Sequence, residues 1–179
     1  SIAKPKSVPL ESDVKRILFA AMMIFAASSC IYDAPEPEFE LQVGDRIPDF
    51  TVTMTDGTTV TGESLRKGVS LIMFFHSSCP DCQGTLPSVQ RIYDEFLDKG
   101  VSFAIISRSQ LADEIEPYWQ EQGYTMPYSG QPDRKIYNLF ATSRVPRVYV
   151  CKDGIIKKYY TDNPIPTYEE LLDDVESQL

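Results

Sequence analysis

Two cysteines separated by two residues, Cys79-Pro80-Asp81-Cys82, lie where an apolar run gives way to a helical pattern. Before them, Val69-Ser70-Leu71-Ile72-Met73-Phe74-Phe75 reads as a buried strand. After them, residues 83–97 place Leu86, Val89, Ile92, Tyr93 and Phe96 at steps of three and four, the spacing of an amphipathic helix. The first thiol therefore falls at the amino end of a helix. Free N–H groups and the positive end of the helix dipole favour a thiolate there, and the thiolate is the reactive form. Paired thiols in this setting can close a disulfide and reopen it.

Other uses of a CxxC pair fit less well. A structural zinc site wants four ligands, and only Cys30, Cys151 and the single histidine, His76, remain. No metal is expected. A purely structural bridge across two residues would restrain little unfolded-chain entropy. The net charge of −9 argues against nucleic acid as a partner, because phosphate binding needs a basic surface. The 179 residues suffice for one domain with a proper core and a tail.

The chain divides into three parts. In residues 1–30, Lys4, Lys6, Lys15 and Arg16 precede a short apolar run over 17–27, then Ser28, Ser29 and Cys30. The run is short for a membrane span, and its order of charged, apolar and small residues is that of a secretory signal. The small residues ending in cysteine resemble a lipoprotein signal, with Cys30 as the acylated residue. Residues 31–40 are acidic with two prolines and read as an extended tether. Residues 41–179 read as the folded domain.

That domain opens with a hairpin, 51–54 and 58–61 around Asp56-Gly57. A helical turn is expected near 63–67, a second central strand at 101–107, a helix at 111–121 and a short third helix at 133–140. Val145-Pro146 leads a further strand to Cys151, Asp153-Gly154 turns the chain, and 155–160 form the last strand. Thr167 and Glu170 form a capping box for a final helix. Cys151, inside a strand, reads as a small buried apolar residue.

The run Val43-Gly44-Asp45-Arg46-Ile47-Pro48-Asp49-Phe50, the Asp-Gly hairpin, the CxxC, Pro87 in the following helix and Pro146 together resemble the TlpA/ResA branch of the thioredoxin superfamily over residues 41–179. The resemblance implies an α/β thioredoxin-like fold: a central mixed sheet flanked by helices, with an N-terminal β-hairpin extension. It implies a thiol–disulfide oxidoreductase in which Cys79 attacks, Cys82 resolves, and a cis Pro146 packs beside them with the Val145 backbone free for substrate. No cofactor is implied beyond a Cys79–Cys82 disulfide. The implied partners are protein disulfides and a membrane thiol–disulfide electron donor, at a lipid-anchored position in the cell envelope or periplasm. Cytochrome c maturation and envelope redox homeostasis are the tasks this branch suggests.

Three positions depart from the pattern. Ser78 replaces a tryptophan, Thr85 stands where many relatives carry a glutamate, and Met73 where thioredoxins place a buried aspartate. No carboxylate is thus evident as proton acceptor for Cys82. The possible modulators are His76, as cation or base, Asp81, whose charge opposes a thiolate, and Thr85. Two other readings are a peroxiredoxin-like peroxidase, which usually has a proline and a threonine before its reactive cysteine where this chain has Phe75-His76-Ser77-Ser78, and a binding lipoprotein without catalysis.

Overall fold

In the computed structural model the described residues are 38–179, and they form one folded unit, Glu38–Leu179. The signal-like region, Cys30 and residues 31–37 lie outside them. At the centre is β3 (Val69–Phe75), every residue of which is buried. That burial on both faces explains why its sequence is an unbroken apolar run rather than an alternation.

Beside β3 lie β4 (Ser102–Ser107), parallel, and β5 (Arg147–Lys152), antiparallel; β6 (Ile155–Tyr160) completes the order β4-β3-β5-β6. The expected mixed sheet is therefore present. The expected hairpin forms its own two-stranded sheet from β1 (Thr51–Thr53) and β2 (Thr59–Thr61). Its turn is fixed by Asp56, whose Oδ1 accepts from the N–H and hydroxyl of Thr58 at 2.9 and 2.7 Å. At the other turn Asp153 and Gly154 both have positive φ, +50° and +79°, the geometry a two-residue β-hairpin loop demands.

Helix α1 (Pro80–Phe96) follows β3 directly. Pro80 fills its first position, where a missing N–H costs nothing, and Cys82, Leu86, Val89, Ile92 and Phe96 form its buried face. Pro87 lies on its exposed side. Helix α2 (Ala112–Gln122) buries Ile115 and Trp119. Helix α3 (Tyr168–Glu176) packs against α1 and begins with the expected capping box, Thr167 with Glu170. Successive β3 residues serve opposite faces of the sheet. Phe74 meets Tyr137 and Phe140, while Phe75 meets Trp119 and Tyr128.

Two boundaries differ from the sequence reading. Over 133–140 only a short 3-10 turn forms, Tyr137–Leu139. Asp133 Oδ1 takes the Lys135 N–H at 2.9 Å, a local bond that competes with helix formation, and the Tyr137 hydroxyl donates to the carbonyls of Ser143 and Arg144. The folded unit also reaches back past Leu41. Phe39 N–H donates to the Thr142 hydroxyl and Phe39 O accepts from the Thr142 N–H, Glu40 bridges Ala141, and the Glu40 carboxylate pairs with the buried Arg147. Both open edges of the central sheet are partly covered, β6 by Arg46 and β4 by Ser129, which leaves little free strand edge for unwanted pairing.

Candidate active site

The strand β3 ends at Phe75 and the chain must turn within four residues to start α1. His76 O accepts from Cys79 N at 3.1 Å, and Cys79 O from Gln83 N at 2.9 Å. Cys79 is thereby the N-cap residue, with extended backbone (φ −83°, ψ 119°) and no capping bond from its side chain. It is half-buried, and its Sγ donates to Val145 O at 3.6 Å. The Val145–Pro146 peptide bond is cis, and both residues are buried. Cys79 and Val145, 66 positions apart, thus line one groove, with Pro146 next to Val145 in the chain.

Cys82, one turn into α1, is fully buried, and its thiol lies within hydrogen-bonding range of Cys79. Both thiols are free. Burial above all holds Cys82 well above the ordinary thiol range; a backbone hydrogen bond at His76 opposes this, and the Cys79 sulfur and the Asp81 charge add to it. Cys79 and Cys82 are therefore unequal: one thiol at the surface, one sealed in the core.

His76 lines the groove but is poorly suited to act as a cation. Burial, then the Arg108 guanidinium, push its pKa below the usual imidazole range, against a smaller pull from Glu114. Its Nδ1 accepts from the Ser78 N–H at 3.3 Å and lies 2.9 Å from the Ser78 hydroxyl. A backbone N–H can only donate, so these bonds assign the neutral tautomer with the proton on Nε2. Both the lowered pKa and the Ser78 N–H on Nδ1 oppose the imidazolium among the roles expected for His76. Thr85 is buried and its hydroxyl donates to Asp81 O at 2.8 Å, a bond within the helix that occupies its one proton. Asp81 is exposed, as expected.

Cys151 is buried in β5 opposite Ser70, and burial pushes its thiol up to about 12. Ser70 is at the far end of β3 from the CxxC, roughly 17 Å away for five residues of strand. Cys151 thus belongs to the core and not to the reactive pair.

Several groups here were not legible in the sequence. Gln110, after β4, accepts the Ser77 N–H through Oε1 at 3.0 Å and donates Nε2 to the Ser77 hydroxyl at 2.7 Å. Gln83 Nε2 holds the Ser77 carbonyl at 2.8 Å. Together they clamp the loop that presents Cys79. Arg108 and Arg144 join His76, Ser78, Cys79 and Val145 around a cleft of about 320 Å³. A larger cleft of about 440 Å³, lined in part by Glu40, Arg147 and Tyr159, adjoins it through Arg144 but holds neither thiol. One signal could have found Arg108. It follows the last residue of β4, which runs parallel to β3, and in such sheets functional groups gather beyond the carboxyl ends of the strands.

Residues 43–159 match the model of the AhpC/TSA family. The thiol-disulfide oxidoreductase ResA of Oceanobacillus iheyensis is 26% identical over 141 residues, covering 76% of this chain and 71% of that protein. The methylamine utilization protein MauD of Methylobacillus flagellatus is 31% identical over 121 residues, covering 64% of this chain and 55% of its own. Among solved structures, one from Bacteroides thetaiotaomicron, described as a candidate protein disulfide isomerase, superposes with a TM-score of 0.68 at 26% identity, covering 76% of this chain and 87% of that one. The matched span holds the hairpin, the CxxC groove and the Val145–Pro146 bond. The chain therefore belongs to the AhpC/TSA family, as a TlpA/ResA-like thiol–disulfide oxidoreductase of the thioredoxin superfamily.

Proposed function

We propose that Cys79 and Cys82 exchange a disulfide with protein disulfides outside the cytoplasm, with Val145 and Pro146 lining the substrate groove. The observation that carries this reading is the placing of a half-buried Cys79 Sγ against Val145 O, with a fully buried thiol one turn behind it. In the reducing direction the Cys79 thiolate attacks one sulfur of the substrate disulfide. The substrate's other sulfur leaves as a thiolate and takes up a proton. Cys82, once deprotonated, attacks the Cys79 sulfur, forms the Cys79–Cys82 disulfide and releases the second substrate thiol. Two electrons pass from the dithiol to the substrate, and the reverse direction uses the same atoms. No cofactor is needed.

The groove supports this assignment in two further ways. The Val145 N–H has no hydrogen-bond partner among the described residues and can pair with an extended substrate. The S–H donated to the Val145 carbonyl keeps the Cys79 sulfur in the groove until substrate arrives. Regeneration outside the cytoplasm requires a membrane thiol–disulfide donor, because the surroundings favour disulfides. The charged, apolar and small-residue order that ends at Cys30 supports a lipid anchor. Cytochrome c maturation or general envelope redox balance would follow from such a position.

The test is a trap. With Cys82→Ser the first attack proceeds and the second cannot, so a covalent adduct through Cys79 accumulates with a protein disulfide substrate. Absence of any adduct, together with no exchange on model disulfides, overturns the reading. Rapid peroxide consumption without disulfide exchange would move the chain to the peroxidase alternative.

A further inference from the structure

Of its charged residues the chain has 26 acidic and 17 basic, yet the wall around the reactive thiol inverts this balance. The cleft beside Cys79 is lined by His76, Ser78, Arg108, Arg144 and Val145, two arginines and no carboxylate. Arg108 makes no ion pair among the described residues, and its Nε is buried without a hydrogen-bond partner. Its backbone is fixed, since its N–H donates to Phe75 O at 2.8 Å. Arg144 reaches only Asp162, at a long 3.5 Å, and half its side chain is exposed.

The nearby acids do not answer these charges. Glu114 Oε2 accepts the Leu111 N–H at 2.8 Å and caps α2. Asp81 is exposed and is not part of the cleft wall. His76 is neutral and does not compete. The amino end of α1 adds partial positive charge on the same side. An arginine left half-buried without a partner gains most when a carboxylate arrives, because its planar fork forms two charge-assisted bonds at once.

We propose that this groove selects disulfides whose cysteines are flanked by carboxylates, meaning acidic polypeptide segments, with Arg108 and Arg144 as the specificity determinants. The proposal rests on the exchange reading of Cys79 and Cys82. A polypeptide suits the site better than a small acidic disulfide for two reasons. Arg144 lines both this cleft and the larger one, so a chain can extend past it, with its acidic flank on the Arg108 side because Glu38 and Glu40 line the larger cleft. The free Val145 N–H belongs to the residue whose carbonyl meets the Cys79 sulfur, and so offers an extended backbone a donor beside the thiol.

The test uses the reduced full chain and a set of peptide disulfides of equal length whose cysteines are flanked by Glu, Gln or Lys, with oxidised glutathione as a small acidic disulfide. Thiol release is followed at low ionic strength. The Glu-flanked peptide should show kcat/KM about tenfold above the Lys-flanked one, as expected for charge-guided association. That ratio should shrink toward one in about 0.5 M salt, where charges several ångströms apart are screened. Arg108→Gln and Arg144→Gln should each reduce the ratio, their combination should abolish it, and Arg108→Lys should largely keep it. Because the readout is a ratio within one variant, a loss of folded protein cancels. Equal rates in the unaltered chain, or a preference that survives the double substitution, overturn the selectivity. Oxidised glutathione reacting as fast as the Glu-flanked peptide overturns the polypeptide assignment. A chain that reacts with none of the disulfides overturns the exchange reading, and the selectivity with it.

Discussion

The two clefts that meet at Arg144 handle buried positive charge in opposite ways. On one side Arg147 is almost wholly buried, but Glu40 pairs with it and Ser143 O accepts from its Nη2 at 3.0 Å and its Nε at 3.3 Å. On the other, Arg108 faces the thiol groove with no carboxylate partner. A buried charge that is answered within the chain holds two segments together. One left unanswered beside a reactive atom is poised for something that arrives from outside. On the proposed function the contrast separates a structural cleft from a working one, although the structural cleft is the larger.

The sharpest separation lies in the chemistry. Cys79→Ser should lower disulfide exchange by at least about a thousandfold, since it removes the only accessible nucleophile of the pair. Glu40→Ala, in the other cleft, should leave the rate within about twofold while the protein remains folded, because it touches neither thiol. Comparable losses in the two variants, measured as thiol release under native conditions, would erase the distinction.

Stability should show the reverse order. Glu40→Ala strands a buried guanidinium and should cost about 2–4 kcal/mol in urea unfolding, toward the lower end because Glu40 keeps some contact with water. Arg108→Gln breaks no ion pair and should cost under about 1 kcal/mol. Equal costs would mean that Arg108 is a structural charge after all.

Within the working cleft, the slow step should belong to Cys82. Its ionisation lies above the ordinary thiol range, so its reactive fraction climbs about tenfold per pH unit throughout the neutral range. Resolution of a preformed mixed disulfide at Cys79 should therefore accelerate with pH without a plateau between about pH 6 and pH 8.5. Stopped-flow release of the second substrate thiol measures this, and a flat profile would point to a proton acceptor that the structure does not reveal.

The smallest expected effect concerns His76. Its pKa in the folded protein is lowered, so as pH falls the unfolded chain takes up this proton first. The stability held by neutral His76 is present above about pH 6.5 and declines as pH falls below it. His76→Asn should flatten that part of the stability profile. Chemical denaturation at a series of pH values checks the sign, and an unchanged slope would show that the imidazole is not desolvated.

Much of this was legible because it is local. The apolar run of β3, the three-and-four spacing of α1, the Asp-Gly turns and the Thr167 capping box each depend on neighbours within a few residues. Residues 133–140 have a workable helical pattern, but the Asp133 carboxylate and the bonds of the Tyr137 hydroxyl to Ser143 and Arg144, in the segment just beyond, favour a tighter turn. The folded unit begins ahead of Leu41, where the sequence reading starts it, because the bonds that hold Phe39 and Glu40 reach across about a hundred positions, to Thr142 and Arg147. Thr85 fell on the expected buried face, but only the bond to Asp81 O shows where its hydroxyl points.

By itself the sequence determined the CxxC pair, its place at a strand-to-helix junction and the order of the elements, since backbone propensity and hydrophobic period are properties of short stretches. Tertiary structure decided what surrounds that pair: the lowered pKa of His76, the Gln110 clamp on Ser77, the carbonyl of Val145 at the Cys79 sulfur and the unpaired Arg108. Those depend on how β4 and the Val145–Pro146 segment fold back beside β3, and charge or desolvation at one atom is set by whatever lies a few ångströms away in space, however far off it lies along the chain.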